Sequence, residues 1–323
     1  MKPQLSRRQM LGHSSLAVGT CASLAGASGT FARAQTTDGA AKKDPFGYCF
    51  NTATIRGQQL PIEQQIEIAA KAGYQAIEPW MHDLAAYQQQ DKSLPDLKKR
   101  IADLGLTVES AIGFASWIVD DDTRRAEGLE DAKRDMALVK QIGGQRIAAP
   151  PVGTTKQTNL NLFKAAERYR ALLELGDRME IIPQVEVWGF SKSLSRLSET
   201  TFVAVESGHP KACILPDVYH IYKGGSDFNS LKLLSGSAFH VFHMNDYPAD
   251  PPRKTISDAD RVYPGDGIAP LNSMLRGLAE NGFCGMLSLE LFNRDYWKQD
   301  PLLVAKTGLA KMRASVRKAL NVI

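Results

Sequence analysis

Four short apolar runs in the second half of the chain each carry a side chain able to hold a metal or move a proton. They are Gln184-Val185-Glu186-Val187-Trp188, Cys213-Ile214-Leu215-Pro216-Asp217, Val241-Phe242-His243-Met244-Asn245-Asp246 and Leu287-Ser288-Leu289-Glu290-Leu291. Each reads as a buried strand with an acid or an imidazole near its C-terminal end. A buried carboxylate without a partner costs several kcal/mol. Successive strands with the same problem point to one shared partner, a divalent metal bound by Glu186, Asp217, His243 and Glu290. Three carboxylates and one imidazole make a mostly hard, oxygen-rich set. That suits Mn²⁺ first, with Mg²⁺, Co²⁺ or Zn²⁺ also compatible. Taken singly, each acid has an ordinary alternative, an ion pair or a helix cap; the repetition argues for the metal.

Other side chains near these runs are candidates to meet a substrate. His220, three residues past Asp217, is placed to hydrogen-bond a substrate hydroxyl or to sit at the surface. Trp80 and Trp188 lie at strand ends, where an indole either walls a sugar ring or packs into the core. Glu78 is a further acid at the rim. Arg253, with Lys254 and Arg261 in the same segment, is a candidate for an anionic substrate group, solvated loop charge being the plainer reading. His240 and His243 are three apart and face opposite ways on a regular strand, so only His243 is expected to point inward. Asp246 either orients His243 or caps the following turn.

What positions these groups is a repeated pattern. An amphipathic segment ends at a glycine, and an apolar run begins a few residues later. The glycines are Gly73, Gly105, Gly143, Gly176, Gly208, Gly236 and Gly282. Glycine just past a helix supplies the left-handed turn that stops it. The pattern opens on Phe46 to Asn51 and closes on a helix from Pro301 to Leu320, which gives eight strands, each followed by a helix. Such alternation predicts a parallel sheet with helices outside, and eight units in one domain predict a closed (β/α)₈ barrel of the α/β class. All C-terminal strand ends then open on one face, and the four ligands meet there. The polar, proline-rich stretch from Tyr247 to Pro270 follows the seventh strand and is a candidate lid.

The first 34 residues read as a targeting segment. Ser6-Arg7-Arg8-Gln9-Met10-Leu11 resembles a twin-arginine signal, Ser14 to Gly26 is weakly apolar, and Ala32-Arg33-Ala34 fits a cleavage site. Residues 35–44 are expected to be a flexible lead-in and 45–323 the barrel, working in the periplasm. The segment holds Lys2, Arg7, Arg8 and Arg33 and no acid, so the remainder, 35 basic residues of the 39 against 35 acidic, is formally neutral. A neutral body argues against a nucleic-acid partner. No later stretch has the roughly 18 to 20 unbroken apolar residues of a membrane span. Cys49, Cys213 and Cys284 remain, an odd number beside strands, and read as buried thiols with no disulfide framework.

The sequence resembles the sugar isomerase/epimerase family with a xylose-isomerase-like barrel, which also includes AP endonuclease family 2 members. The resemblance covers nearly the whole chain after residue 44. It rests on Phe50-Asn51-Thr52 with Ile55-Arg56-Gly57, on Ala72-Gly73-Tyr74 with Ile77-Glu78-Pro79-Trp80, and on Glu186 in VEVWG. It continues through Asp217 and His220 in DVYH, His243 and Asp246 in HMND, Pro264-Gly265-Asp266-Gly267, and Glu290 in LSLELFN. It implies that Glu186, Asp217, His243 and Glu290 hold the metal, that Glu186 and Glu290 are the acid/base pair, and that His220 binds substrate. The implied reaction moves a proton beside a ketose carbonyl, as an epimerase or an aldose–ketose isomerase. An exported β-eliminating lyase of keto-glycosides is the alternative. An apurinic endonuclease would want more metals and more histidines, and a non-catalytic sugar binder would not need two metal-bound carboxylates.

Overall fold

The computed structural model describes residues 44–321. The expected export signal and residues 35–43 of the lead-in lie outside the described residues. Eight strands form where the apolar runs fall: β1 (Gly47–Asn51), β2 (Ala76–Glu78), β3 (Thr107–Val108), β4 (Arg146–Ala149), β5 (Ile182–Glu186), β6 (Ile214–Leu215), β7 (Val241–Met244) and β8 (Met286–Leu289). All their pairings are parallel. They make two arcs, one ordered β3-β2-β1-β8-β7 and one ordered β4-β5-β6. Two seams close the arcs into a barrel. At one, Asp217 bridges His243, and the His243 amide donates to the Pro216 carbonyl at 2.9 Å. At the other, the Ala111 amide donates to Arg146 and the Ala148 amide donates back to Ala111, at 3.1 and 2.8 Å.

Side chains two apart on a strand share a face. This stacks the interior in layers. Gln184, Leu215, Val241 and Ser288 lie one step below Glu186, Asp217, His243 and Glu290, and all eight are buried. Leu215 and Val241 join Ile112 and Ala148 in a small apolar cluster of their own. The larger apolar core lies between the strands and the surrounding helices, and includes Phe50, Ile66, Val185, Phe242 and Leu309.

Among the described residues nine α-helices surround the strands: α1 (Ile62–Ala72), α2 (Met81–Gln88), α3 (Leu94–Asp103), α4 (Asp122–Gln141), α5 (Leu162–Met179), α6 (Leu197–Glu206), α7 (Val218–Lys223), α8 (Leu271–Glu280) and α9 (Pro301–Leu320). The amphipathic helix expected before Gly236 does not form. The chain after β6 makes only the six residues of α7 and then 3₁₀ turns over Phe228–Leu233 and Gly236–Ala238. The Gly224-Gly225 pair ends α7, and Gly225 takes a left-handed φ of 78° that a helix cannot continue through. Among the described residues no helix is long and apolar enough to cross a membrane.

Five of the seven expected stop glycines adopt positive φ, at positions 73, 105, 143, 208 and 282. Gly176 and Gly236 do not, and their reason is contact. Gly176 lies inside α5, whose left-handed cap is Glu180. A Cβ at Gly176 would collide with the Ile181 carbonyl oxygen and lie 2.8 Å from Pro183 Cδ. The helix therefore needs glycine to pass close to the entrance of β5. Gly176→Ala is expected to destabilise the protein by about 1–3 kcal/mol in urea unfolding, the usual cost of overpacking. Gly277→Ala, in α8 with only Lys232 Cγ near the new Cβ, at 3.9 Å, is expected to stabilise it by about 0.5–1 kcal/mol through helix propensity.

Candidate active site

The β5 to β8 ends carry their four polar side chains to one place. One donor atom each from Asp217, His243 and Glu290 lie within 4.8 Å of one another. Nδ1 of His243 is 3.3 Å from a Glu290 oxygen, 3.8 Å from Asp217 and 3.9 Å from Glu186. His240 is only half-buried, and its carbonyl serves the barrel by accepting from the Met286 amide.

The imidazole of His243 is fixed from below. Its Nε2 lies 3.1 Å from Glu78 Oε2, which also accepts from Ser288 Oγ at 2.7 Å and Asn51 Nδ2 at 3.0 Å. Glu78 is thus fully buried beneath the site, not at the rim where the sequence reading put it. With Nε2 committed to a carboxylate, Nδ1 is the nitrogen left to face the other acids. Asn51 extends the support: its Nδ2 also reaches Glu290 Oε1 at 3.1 Å, and its Oδ1 accepts from Trp80 Nε1 at 2.9 Å.

Arg261 enters the same cluster from the loop after β7. Its Nη1 donates to Asp217 Oδ2 at 2.9 Å and to Glu290 Oε2 at 3.0 Å, and its Nη2 lies 3.1 Å from His220 Nε2. The side chain is completely buried. Arg253, the arginine favoured from the sequence, is exposed and does not line the cleft. Only its carbonyl is engaged, by Lys223 Nζ at 3.1 Å. The segment from Tyr247 to Pro270 is accordingly no loose lid. Asp246 holds it by accepting from the amides of Tyr247, Gly265, Gly267 and Ala269 at 2.8–3.1 Å. The capping alternative for Asp246 is the one realised. Asp217 is held likewise, with the His220 amide on one oxygen at 2.7 Å and Asn245 Nδ2 on the other at 3.0 Å.

Burial and charge push these groups apart in protonation. Burial raises Glu186 to about 8, and the Glu290 and Asp217 carboxylates add to the rise against the pull of His243. Burial alone would raise Glu290 too, but His243 and then Arg261 hold it down at about 2. Burial works against protonation of His243, yet Glu290 and Glu78 keep its pKa well above the ordinary imidazole value. Burial lowers His220 to about 3, so that ring is neutral at physiological pH.

The donor set fits a divalent cation. His243 Nδ1 and Glu186 Oε2 are buried with no hydrogen-bond partner. Such orphans are rare in native interiors, and two of them set among three carboxylates suit a bound cation. A cation beside them would share Asp217 and Glu290 with the Arg261 guanidinium. Above the floor opens a cleft walled by Trp80, Phe114, Trp188, Phe190 and Phe292. Sequence reasoning named the two indoles and gave no role to the three phenylalanines, of which Phe292 lies in LSLELFN and Phe114 and Phe190 in no quoted motif. Asn51 and Ser288 lie in quoted runs but were given no role, because their roles depend on pairing between strands far apart in the chain.

Fold and site together define a (β/α)₈ barrel with a candidate metal centre and paired carboxyls at the C-terminal ends of its strands. The family described as "Xylose isomerase-like TIM barrel" matches residues 66–315, and the chain belongs to it. An inosose isomerase of Bacillus velezensis is 26% identical over 273 residues, 84% of this chain and 97% of that protein. A fructoselysine 3-epimerase of Escherichia coli O157:H7 is 24% identical over 278 residues, 81% of this chain and 96% of the relative. The crystal structure of the IOLI protein with a zinc atom superimposes with a TM-score of 0.78 at 22% identity, over 85% of this chain and 99% of that one. The isomerase class expected from the sequence is the class these two relatives are named for.

Binding of Mn²⁺ or Zn²⁺ to chelator-treated protein is expected to raise Tm, because only the folded state assembles the ligands. Asp217→Ala is expected to lose most of that shift. Affinity should fall as pH falls, because the cation must displace the proton that Glu290 and Glu78 help His243 retain. Calorimetric titration at two pH values checks both.

Proposed function

We propose that this protein is a divalent-metal-dependent isomerase or epimerase that moves a proton beside the carbonyl of a ketose or keto-polyol. The observation that carries this is the pair Glu186 and Glu290. They are two buried carboxyls from β5 and the end of β8, at the floor of one cleft, each with an oxygen within 3.9 Å of His243 Nδ1. Two carboxyls gathered beside one reacting carbon can serve as its base and its acid. The relatives named as isomerase and 3-epimerase support the reading.

Glu186, Asp217, His243 and Glu290 would hold a divalent ion, Mn²⁺ in our reading, and that ion would supply Lewis acidity toward a carbonyl and its neighbouring hydroxyl. The carboxylate of the pair removes the proton from the carbon beside the carbonyl. The other carboxyl returns a proton, to the opposite face of that carbon in an epimerase or to the neighbouring carbon in an isomerase. Glu78, Ser288 and Asn51 keep His243 and Glu290 oriented while the charge shifts. Arg261 and neutral His220 line the cleft and offer hydrogen bonds to substrate oxygens.

Glu186→Gln and Glu290→Gln are each expected to lower solvent-deuterium exchange into a panel of keto-sugars by about 10²–10⁴, the usual weight of a general acid or base. Part of the metal binding should be retained. Wild-type exchange in either variant would overturn the assignment. Release of the substituent of a 3-keto-glycoside, in place of exchange or inversion, would mark the eliminating form of the same chemistry.

We further propose that the protein acts outside the cytoplasm. The support is the Arg7-Arg8 pair with the weakly apolar stretch and the Ala32-Arg33-Ala34 site behind it. Replacing both arginines by lysine is expected to leave the full-length precursor in the cytoplasm, which cell fractionation and the mass of the processed chain would show.

A further inference from the structure

The cleft is divided by polarity. Its polar groups, Glu186, Glu290, His220, Arg261 and Asp258, accompany an almost unbroken aromatic wall. In order around that wall, Phe292 lies 5.9 Å from Trp80, Trp80 5.0 Å from Phe114, Phe114 6.3 Å from Trp188 and Trp188 5.1 Å from Phe190, between ring centroids. Phe114 and Phe190 are 40% and 45% exposed, among the few large apolar side chains left in water.

The half-open cleft holds about 190 Å³, below the roughly 300–1,000 Å³ usual for drug-sized ligands. A single sugar ring at the acid pair would leave its substituents to reach the outer wall, where exposed Phe114 and Phe190 flank Trp188. A hydroxylated chain placed there would find ring faces and few hydrogen-bond partners, whereas a flat apolar group would bury both phenylalanines. The wall is also held in place beforehand. The Arg56 guanidinium stacks 3.5 Å from the Trp80 ring centre, and Phe190 packs 5.6 Å from the His220 ring. Binding there costs little ordering of side chains.

We infer that Phe114, Trp188 and Phe190 form a subsite for an apolar ring attached to the sugar, which narrows the proposed substrate class to keto-sugars that carry an aryl group. The inference rests on the isomerase/epimerase reading for the reaction but not for the binding. The metal-loaded protein is titrated with phenyl β-glucopyranoside and with methyl β-glucopyranoside, followed by tryptophan fluorescence. The phenyl glycoside is expected to bind about tenfold tighter, the gain of a good aromatic contact. That gap should collapse in Phe114→Ala and in Phe190→Ala. Both side chains are partly in water, so the variants should fold, and their Tm checks it. Equal affinity for the two glycosides, or a gap untouched by both variants, overturns the subsite whatever the reaction proves to be. Deuterium exchange with the matching 3-keto-glycosides then separates the two ideas. Exchange of both at equal kcat/KM sinks the subsite and leaves the proton transfer standing. Tighter phenyl binding with no exchange of either keeps the subsite and sinks the reaction.

Discussion

Negative charge compressed into a dry space is the constraint on which the rest of this protein depends. Glu78, Glu186, Asp217 and Glu290 are all within 3% of complete burial at one end of a barrel. Carboxylates so placed repel one another and lack water to screen them. The structure answers with His243 in their midst, with Arg261 fully buried against two of them, and with donors from Asn51, Asn245 and Ser288. The balance is incomplete: Glu186 Oε2 and His243 Nδ1 are left without partners. That remainder of unpaired polarity leaves the mouth of the barrel suited to a cation.

The compensation is delivered over a long distance in sequence. Arg261 sits in the loop after β7, and it reaches the cluster only because that loop is fastened. Asp246 ties down the backbone of Gly265 and Gly267. A side chain at Gly267 would meet Asp246 itself. Asp246 also forms an antiparallel bridge with Val262, next to Arg261. The HMND and PGDG motifs thus become intelligible together: one supplies the clamp and the other the backbone it grips.

The strands and the four acid- or imidazole-bearing ends were legible in the sequence because burial in a parallel barrel leaves a plain trace. Short apolar runs with an acid or imidazole near the C-terminal end, recurring after glycine-stopped helical segments, read as strands buried on both faces. Gly73 and Gly282 were legible because a left-handed helix stop selects glycine locally. Gly176 and Gly236 looked the same, but their reason lies in contacts with Ile181 and with Gly282-Phe283, which no local pattern reports. The choice of Arg253 over Arg261 failed for a related reason. Both are loop arginines eight residues apart, and only the Asp246 clamp decides which one turns inward. Glu78 was recognised as chemically relevant, but its place beneath His243 follows from β2 and β7 lying two strands apart across the arc, in the order β2-β1-β8-β7.

The seam between β6 and β7 gives this arrangement a further meaning. Glu186 and Asp217 belong to the three-stranded arc, whereas His243 and Glu290 belong to the five-stranded one. Backbone pairing across that join is sparse, with the Asp217–His243 bridge at its centre. A cation gripped by all four side chains would therefore act as a rivet between halves of the cylinder. A changed phenylalanine at the aromatic rim would then alter only what is accommodated. A change at the rivet would strike reactivity and closure at once.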